Sequence, residues 1–405
     1  DIEFLSEDEY KKTQTQNESE LSAEEKRDIR LFEGQARALG LIDKGTSLFD
    51  DLNAIGTEAT LAYYDDADKK MVIRGTELSV SLRVTVVHEL THALQDQAFG
   101  LDREIKSDGG DSFFHALVEG DATRIENEYV ESLSQAEQDT YAAQEESDRD
   151  QALGALDDVA PALLSFFGAP YALGEQVTTI IVSEEGVGEL NRLFRRPPNS
   201  DEGLMNVFAV LNNDPAKKVK RPALRAGERR TDSGDFGVVA WYLVLSSFVD
   251  AKTALGAVDG WGGDSYVGYR KDKKTCVRIA FVGDTVNDTN EMTNALNRWK
   301  TAFAGTSVTI TPTPDRVELD TCEPDATPTP RPDSAQALSL PVSRVALLSA
   351  FLSGGVPIKI ADCMSRNVLN QVPLNQLEPA TDAEQQALFD LGQRIGRDCA
   401  SGKLT

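Results

Sequence analysis

The feature that most constrains this chain is a pair of histidines spaced one helical turn apart. His88 and His92 lie in a stretch, residues 82–99, whose apolar residues recur with helical spacing and which contains no proline. Residues four apart on a helix project from the same face, so both imidazoles can reach one metal ion. Only three histidines occur in 405 residues, which makes chance a poor explanation for this pairing. We therefore predict a metal-binding helix over 82–99.

Glu89 stands between the two histidines and completes an HExxH motif. It is rotated by about a third of a turn from His88, which places its carboxylate beside the metal rather than on it. In that position a carboxylate can act as general base toward water while zinc polarises a carbonyl. The motif predicts a catalytic Zn²⁺ site, the alternative being two helix histidines without a metal.

Catalytic zinc usually has three protein ligands, so a third residue has to come from elsewhere. A metzincin-type continuation would need a glycine and a histidine where Gln95 and Ala98 stand, and no cysteine before Cys276 could serve a deformylase-type site. A downstream acid remains, and Glu119 lies on a separately capped helix. His115, one turn earlier on the same face, is the alternative ligand, or else a proton donor or oxyanion stabiliser.

The surroundings of the motif predict a hairpin followed by two helices. Residues 60–64 and 71–74 are typical of short strands joined by a turn at 65–68. The glycine-containing segment 109–112 is expected to break the chain and cap a helix that runs from about Phe113 past Tyr129. Further capping boxes begin at Ser22, whose helix should end near Gly40, and at Ser134.

The chain as a whole is predicted to be α+β and predominantly helical. Residues 1–258 are predicted to form a mostly helical domain. Within it, the basic segment 217–230 is predicted to be a solvent-exposed connection. Residues 259–322 alternate like strands around one helix and predict a small α+β unit. Residues 323–334 are rich in proline and threonine and predict an extended linker. Residues 335–405 predict a helical tail.

The four cysteines indicate the compartment. Cys276 and Cys322 lie in the α+β unit, and Cys363 and Cys399 lie in the tail. The simplest pairing joins the two cysteines within each segment, which predicts two disulfides and an oxidising, secreted or cell-surface location. The alternative is four buried thiols in a cytosolic protein.

Charge and hydropathy exclude several partners. With 41 Lys and Arg against 67 Asp and Glu, the net charge is −26, so nucleic acid and anionic membrane surfaces are unfavourable partners. No apolar run reaches the ~18–20 residues of a membrane span. We expect no membrane span in the chain.

Two short sequence segments resemble those of a known protein family. HELTHALQDQ, which contains the motif, and the later EGDA, which contains Glu119, resemble the gluzincin-type zinc metallopeptidases, the group that includes thermolysin-like and aminopeptidase N-like enzymes. The chain is most similar to a poorly characterised set of bacterial metallopeptidases. The resemblance covers residues 60–129 and extends weakly to about Cys322. The weaker similarities lie at Pro170-Tyr171 with Gly174, Pro197-Pro198 with Ser200, and Gly260-Trp261-Gly262-Gly263-Asp264.

The resemblance implies a gluzincin-like core of hairpin, HExxH helix and glutamate-bearing helix. It also implies a set of roles: His88, His92 and Glu119 match the zinc ligands, and Glu89 matches the general acid/base. His115 would then be a catalytic residue in the same cavity. The implied reaction is hydrolysis of a peptide bond in a peptide or protein substrate.

Two departures from the family pattern stand out. The acid expected one turn after the third ligand, where it would orient a ligand histidine, is Thr123. Asp96 or Asp121 is predicted to take that role. The GxMEN motif of aminopeptidase N-like enzymes is missing, which disfavours an aminopeptidase.

The resemblance also suggests how a substrate binds. Gluzincins hold the peptide by antiparallel pairing with an edge strand, and residues 71–74 are the candidate; an ordinary solvent-facing hairpin is the alternative. Tyr129 and Tyr171 could each stabilise an oxyanion, although tyrosines in helical domains are often simply packed.

The leading hypothesis is a secreted or cell-surface zinc metallopeptidase with a helical tail that could contact a protein partner. The alternative is a catalytically inactive, zinc-containing surface or secreted binding protein. Glu89 favours the enzyme, because a structural zinc site needs ligands but no general base.

Overall fold

Helices make up most of the chain, which confirms the predicted α+β, predominantly helical class. The computed structural model describes residues 2–58, 61–65, 68–75, 78–303, 308–326, 328–377 and 381–404. The helices in these ranges are α1 Glu7–Gln14, α2 Ala23–Leu39, α3 Leu48–Glu58, α4 Val80–Phe99, α5 Asp108–Ser132, α6 Gln135–Ala155, α7 Pro161–Glu185, α8 Val187–Arg195, α9 Glu202–Met205, α10 Val207–Leu211, α11 Val238–Ser246, α12 Ala251–Val258, α13 Val286–Ala302, α14 Ser339–Ser353, α15 Ile358–Gln371 and α16 Asp382–Ala400. The strands are β1 Ile2–Leu5, β2 Ala62–Asp65, β3 Lys70–Arg74, β4 Arg229–Gly234, β5 Trp261–Lys271, β6 Lys274–Gly283, β7 Thr309–Pro312 and β8 Val317–Cys322.

The predicted helix caps are present. Ser22 and Glu25 form a capping box at the start of α2, which ends at Gly40 with a positive φ of 77°. Ser134 contacts Glu137 through both its backbone N–H and its hydroxyl, 3.2 and 2.8 Å away, where α6 begins. Local side-chain chemistry therefore determines these boundaries.

The predicted hairpin is confirmed, but its edge was assigned wrongly. β2 pairs antiparallel with β3, and Asp66 and Ala67 of the predicted turn lie outside the described residues. The strand order is β1-β3-β2, because β1 pairs in parallel with β3 on its other side. The predicted substrate-binding strand 71–74 is thus central, with a neighbour on each side, and β1 and β2 are the edge strands.

Helix α4 packs on one face of this small sheet. Leu82 and Val86 of α4 contact Ala62, Met71 and Ile73 in a separate apolar cluster. These strand residues alternate along β2 and β3, as expected for one buried face. The contact fixes the HExxH helix relative to β2.

Helix α5 begins five residues earlier than predicted. Its N-cap is Ser107, whose hydroxyl accepts a hydrogen bond from the Gly110 N–H at 3.2 Å. The glycines 109 and 110 lie inside the first turn rather than before it. A Cβ on Gly109 would stand 3.0 Å from the Ser200 Cα, so a close backbone contact, and not a chain break, explains the glycine.

Helices α5 and α7 cross at two glycines. A Cβ on Gly120 would lie 2.2 Å from the Gly174 carbonyl carbon, and one on Gly174 would lie 2.0 Å from the Ala116 carbonyl oxygen. No larger residue fits at either position without moving a backbone. The crossing brings Tyr171 of α7 beside Glu119 of α5.

The second sheet has the order β4-β5-β6-β8-β7, with antiparallel neighbours throughout. Cys276 and Cys322 stand opposite each other on β6 and β8 and form the predicted disulfide. Strand β4 begins inside the basic segment 217–230, which is therefore not only a connection. Sequence alone missed β4 because its half-exposed, polar residues lack an apolar alternation.

Two buried aspartates hold the start of α11, and one of them, Asp264 on β5, ties it to the second sheet. Asp264 accepts hydrogen bonds from the backbone N–H groups of Phe236 and Gly237 and from the indoles of Trp241 and Trp261. These four donors satisfy a carboxylate that is 4% exposed, as buried charge requires. Asp201 likewise accepts from the first two N–H groups of α11.

One apolar core runs through both the helical part and the second sheet and continues into α14 and α15. Within the described residues, Pro332–Ser353 is the single helical stretch long and apolar enough to cross a membrane by length and composition, and 33% of its most apolar window is buried. Leu340, Val345 and Leu348 of this stretch belong to the core. The tail also contains the second predicted disulfide, Cys363–Cys399, between α15 and α16.

Candidate metal centre

The three predicted ligands come together in the structure. His88 Nε2 and His92 Nε2 each lie 3.4 Å from the same carboxylate oxygen, Glu119 Oε2. One ligand atom from each residue lies within 4.8 Å of the others, so the group could hold a metal ion. The histidines come from one face of α4 and the glutamate from the neighbouring helix α5.

The spacing of these atoms suits a small ion. Ligand atoms bound at about 2.0–2.1 Å to a tetrahedral ion lie roughly 3.3–3.4 Å from one another, and the measured separations to Glu119 Oε2 are 3.4 Å. Within the described ranges, Glu119 Oε2 is buried and has no hydrogen-bond partner. The site is also enclosed, since His92 and Glu119 are only 7% and 9% exposed.

Glu89 is buried next to the ligands. The Tyr64 backbone N–H donates to its carboxylate, whereas Glu89 Oε2 has no hydrogen-bond partner among the residues that the structure describes. Burial, the largest influence, raises the pKa of Glu89 despite the nearby histidines. A buried carboxylate with one oxygen held and one oxygen unpaired is poised to accept a proton.

Both candidate ligand histidines are oriented through Nδ1. For His88 the partner is Glu126, whose Oε2 lies 2.9 Å away. For His92 it is Gln95 Oε1 at 3.0 Å, and the Gln95 amide in turn donates to the Val118 carbonyl at 3.1 Å. Such contacts leave Nε2 directed at the metal position.

Sequence analysis missed Glu126 and Gln95 in these roles. The available signal was spacing: Glu126 stands two turns after Glu119 on the same helix face, and Gln95 follows His92 by three residues. The predicted Asp96 instead binds Lys69 Nζ and the Tyr64 hydroxyl, 2.7 and 2.9 Å away.

Four predicted residues remain. Asp121, His115 and Tyr171 lie near the candidate ligands, whereas Tyr129 does not. Asp121 accepts from Gln95 Nε2 at 3.1 Å and so supports His92 only indirectly. His115 Nε2 lies 3.4 Å from Glu119 Oε1, and its side chain is 56% exposed. The Tyr171 hydroxyl hydrogen-bonds Glu119, whereas Tyr129 contacts Arg83 away from the site.

The charges in the site favour an added cation. Burial opposes ionisation of Glu119, but contacts with His115, His88 and His92 hold its pKa well below its usual range. Burial also lowers the pKa of His88, yet Glu119 and Glu126 outweigh it and raise that pKa to about 10. The carboxylates therefore stabilise positive charge between them, which protons or a metal ion can supply.

No protein-family model, no curated protein and no solved structure matches this chain in the comparisons with known proteins.

Proposed function

We propose that this chain is a zinc-dependent peptidase that hydrolyses peptide bonds at the His88, His92 and Glu119 centre. The observation that carries the proposal is Glu89 Oε2, a buried carboxylate oxygen without a hydrogen-bond partner in the described chain, beside a set of metal-ligating atoms. A structural metal site needs only its ligands. A general base is the additional group that hydrolysis requires.

The donor set suits zinc. Two imidazoles and one carboxylate are a catalytic zinc set, which leaves a coordination position for water or substrate. When bound, zinc supplies Lewis-acid chemistry, since it makes water more acidic and polarises a carbonyl.

Glu89 is proposed to move the proton. Its held oxygen, bonded to the Tyr64 N–H, fixes the side chain. Its unpaired oxygen takes a proton from the attacking water and delivers it to the leaving amine nitrogen, so that one water adds across the broken C–N bond. Burial keeps bulk water from competing for that oxygen.

Edge strand β2 is proposed to bind the substrate backbone, in place of the central strand β3. The Leu61 carbonyl accepts from the Arg74 N–H, so the backbone groups of alternate residues turn toward β3. The backbone groups of the intervening residues point away from β3, and among them is the Tyr64 N–H that reaches Glu89. An extended peptide lying antiparallel along this outer edge would pass Glu89.

Two donors beside Glu119 are proposed to stabilise the oxyanion. His115 and the Tyr171 hydroxyl both contact Glu119. Each can donate a hydrogen bond toward charge that develops on the carbonyl oxygen. The two disulfides are compatible with a location outside the cytoplasm, where we propose that the enzyme works.

Metal content and cleavage of an unbiased peptide pool test the proposal together. Purified protein should contain about one zinc per chain, which a strong chelator removes. Glu89→Gln should retain zinc and lose hydrolysis, because a carboxamide cannot accept the proton. The control is Glu131→Gln, at an exposed position on the same helix as Glu119, and it should behave like the wild type.

Each contrary outcome has a distinct meaning. Protein that stays empty after incubation with zinc contradicts the metal site itself. Cleavage that survives Glu89→Gln shows that Glu89 is not the base. Zinc-loaded wild-type protein that cleaves no member of the pool favours an inactive zinc-containing binding protein.

A further inference from the structure

Helix α6 reaches the metal centre through one side chain. The Tyr141 hydroxyl donates to Glu126 Oε1 at 3.0 Å. The other oxygen of that carboxylate, Oε2, lies 2.9 Å from His88 Nδ1. Tyr141, Glu126 and His88 come from three successive helices, and together they form one hydrogen-bonded chain that ends on a predicted ligand.

Both oxygens of Glu126 are therefore held. A glutamate side chain has three rotatable bonds, and holding it in one conformer costs rotamer entropy. With 19% of its side chain exposed, Glu126 could turn toward water if one oxygen lost its partner. The contact with Tyr141 opposes that rotation and keeps Oε2 directed at His88.

The position of α6 does not depend on Tyr141 alone. Glu137 Oε1 lies 2.7 Å from Arg83 Nη2, and Gln144 Oε1 accepts from the Ser81 N–H at 3.1 Å. These residues precede and follow Tyr141 by about one turn, so three contacts share one face of the helix. Removing the tyrosine hydroxyl should break the chain to His88 while the other two contacts keep α6 in place.

We propose that Tyr141 is a positioning residue that increases the metal affinity of the His88, His92 and Glu119 site by holding Glu126 against His88. The inference rests on the proposed function only in requiring that this site binds zinc. It does not require that the protein cleaves peptides.

Zinc affinity of the full chain, measured by competition with a chromophoric chelator, tests the inference. Partners that orient a ligand histidine typically contribute 10–100-fold to metal affinity, so Glu126→Gln should weaken zinc binding by roughly that factor. Tyr141→Phe should weaken it by less, roughly 5-fold, because Glu126 remains. The control Glu137→Gln breaks a neighbouring α6 contact and should leave zinc affinity unchanged.

A double variant separates positioning from general destabilisation. If Tyr141 acts through Glu126, Tyr141→Phe should have little further effect in the Glu126→Gln protein. Urea unfolding of the metal-free proteins runs in parallel. The inference is overturned if Tyr141→Phe binds zinc like the wild type, if its effect persists undiminished in the double variant, or if zinc affinity simply follows stability across all variants.

The inference can fail independently of the proposed function. Wild-type protein that binds zinc with the same affinity as Tyr141→Phe contradicts only the role of Tyr141. Wild-type protein that binds no zinc contradicts both.

Discussion

Glu119 contacts all three histidines of the chain. Its Oε2 lies 3.4 Å from His88 and His92, and its Oε1 lies 3.4 Å from His115. The two oxygens therefore face different neighbours: one faces the buried pair, and the other faces a histidine that is more than half exposed. From this difference we predict distinct roles for Glu119 and His115.

Substituting each residue separately should have opposite effects. Glu119→Ala should lose most of the zinc affinity, since it removes a ligand, whereas His115→Ala should retain zinc and lose mainly kcat. Metal analysis and peptide kinetics on both variants check this. A metal-free His115→Ala protein beside a loaded Glu119→Ala protein would instead indicate a site with three histidine ligands.

A second residue-scale prediction concerns Glu202, far along the chain from the metal centre. It is 6% exposed, and burial, followed by the charges of Asp284, Asp214 and Asp201, raises its pKa to about 8 from an ordinary value of 4.5. Between these two values the folded protein holds a proton that the unfolded chain releases. This residue therefore makes the free energy of unfolding fall as the pH rises from 4.5 to 8.

Glu202→Gln should remove that part of the pH dependence. The variant should gain stability relative to the wild type at pH 8 and differ little from it at pH 4.5. Urea unfolding at the two pH values measures the change, with the exposed-site variant Glu131→Gln as the control. An equal difference from wild type at both pH values would show that Glu202 does not titrate in this window.

At the scale of elements, the crossing of α5 and α7 positions the site. Glu119 and Gly120 are consecutive on α5, and Gly174 lies about one turn after Tyr171 on α7. The close backbone contact between the glycines thus sets how near the Tyr171 hydroxyl comes to Glu119.

Two glycine-to-alanine substitutions in α7 should change the free energy of unfolding in opposite directions. Gly174→Ala would place a Cβ 2.0 Å from the Ala116 carbonyl oxygen, so we expect a loss of roughly 1–3 kcal/mol or more in the free energy of unfolding, and reduced activity. Gly168→Ala meets nothing within 4 Å and should gain roughly 0.5–1 kcal/mol. Denaturant unfolding compares them, and equal stabilities would contradict the close crossing.

At the scale of the whole molecule, the tail (residues 335–405) packs against the rest of the chain through the shared apolar core. It also contains a disulfide of its own. Cys363 and Cys399, 36 residues apart, connect α15 and α16. Neither α4 nor α5, the two helices that carry the candidate metal centre, takes part in this bridge. Stability of the tail and metal binding should therefore be separable.

Replacing Cys363 and Cys399 together by serine tests that separation. The chain-entropy relation predicts a loss of about 4 kcal/mol for a loop of this length, whereas zinc content should stay at the wild-type level. Thermal unfolding and metal analysis measure the two effects. Mapping of unreduced peptides should show both pairs, and free thiols in native protein would contradict them.

Much of the site follows from short-range rules. The spacing of His88 and His92, the rotation of Glu89 away from them and the cap residues all depend on helix geometry, which operates within a few residues. Glu119 was one of two candidates for the third ligand, the resemblance favoured it over His115, and the structure brings it to the histidines. The cysteine pairs could be predicted because each pair lies within one segment.

Other features depended on contacts between residues far apart in the chain. β1, at residues 2–5, pairs with β3 and so makes the strand at 71–74 central; no pattern within 60–74 contains that information. Glu126 and Tyr141 acquire their roles only where α5 and α6 pack together, because many acids and tyrosines share the same spacing. The amino-acid sequence by itself thus determined the helix that presents His88, Glu89 and His92 together, since a helical turn is local. Only the tertiary structure decided which strands are edges and which side chains orient the candidate ligands, because strand order and helix packing are set by long-range burial.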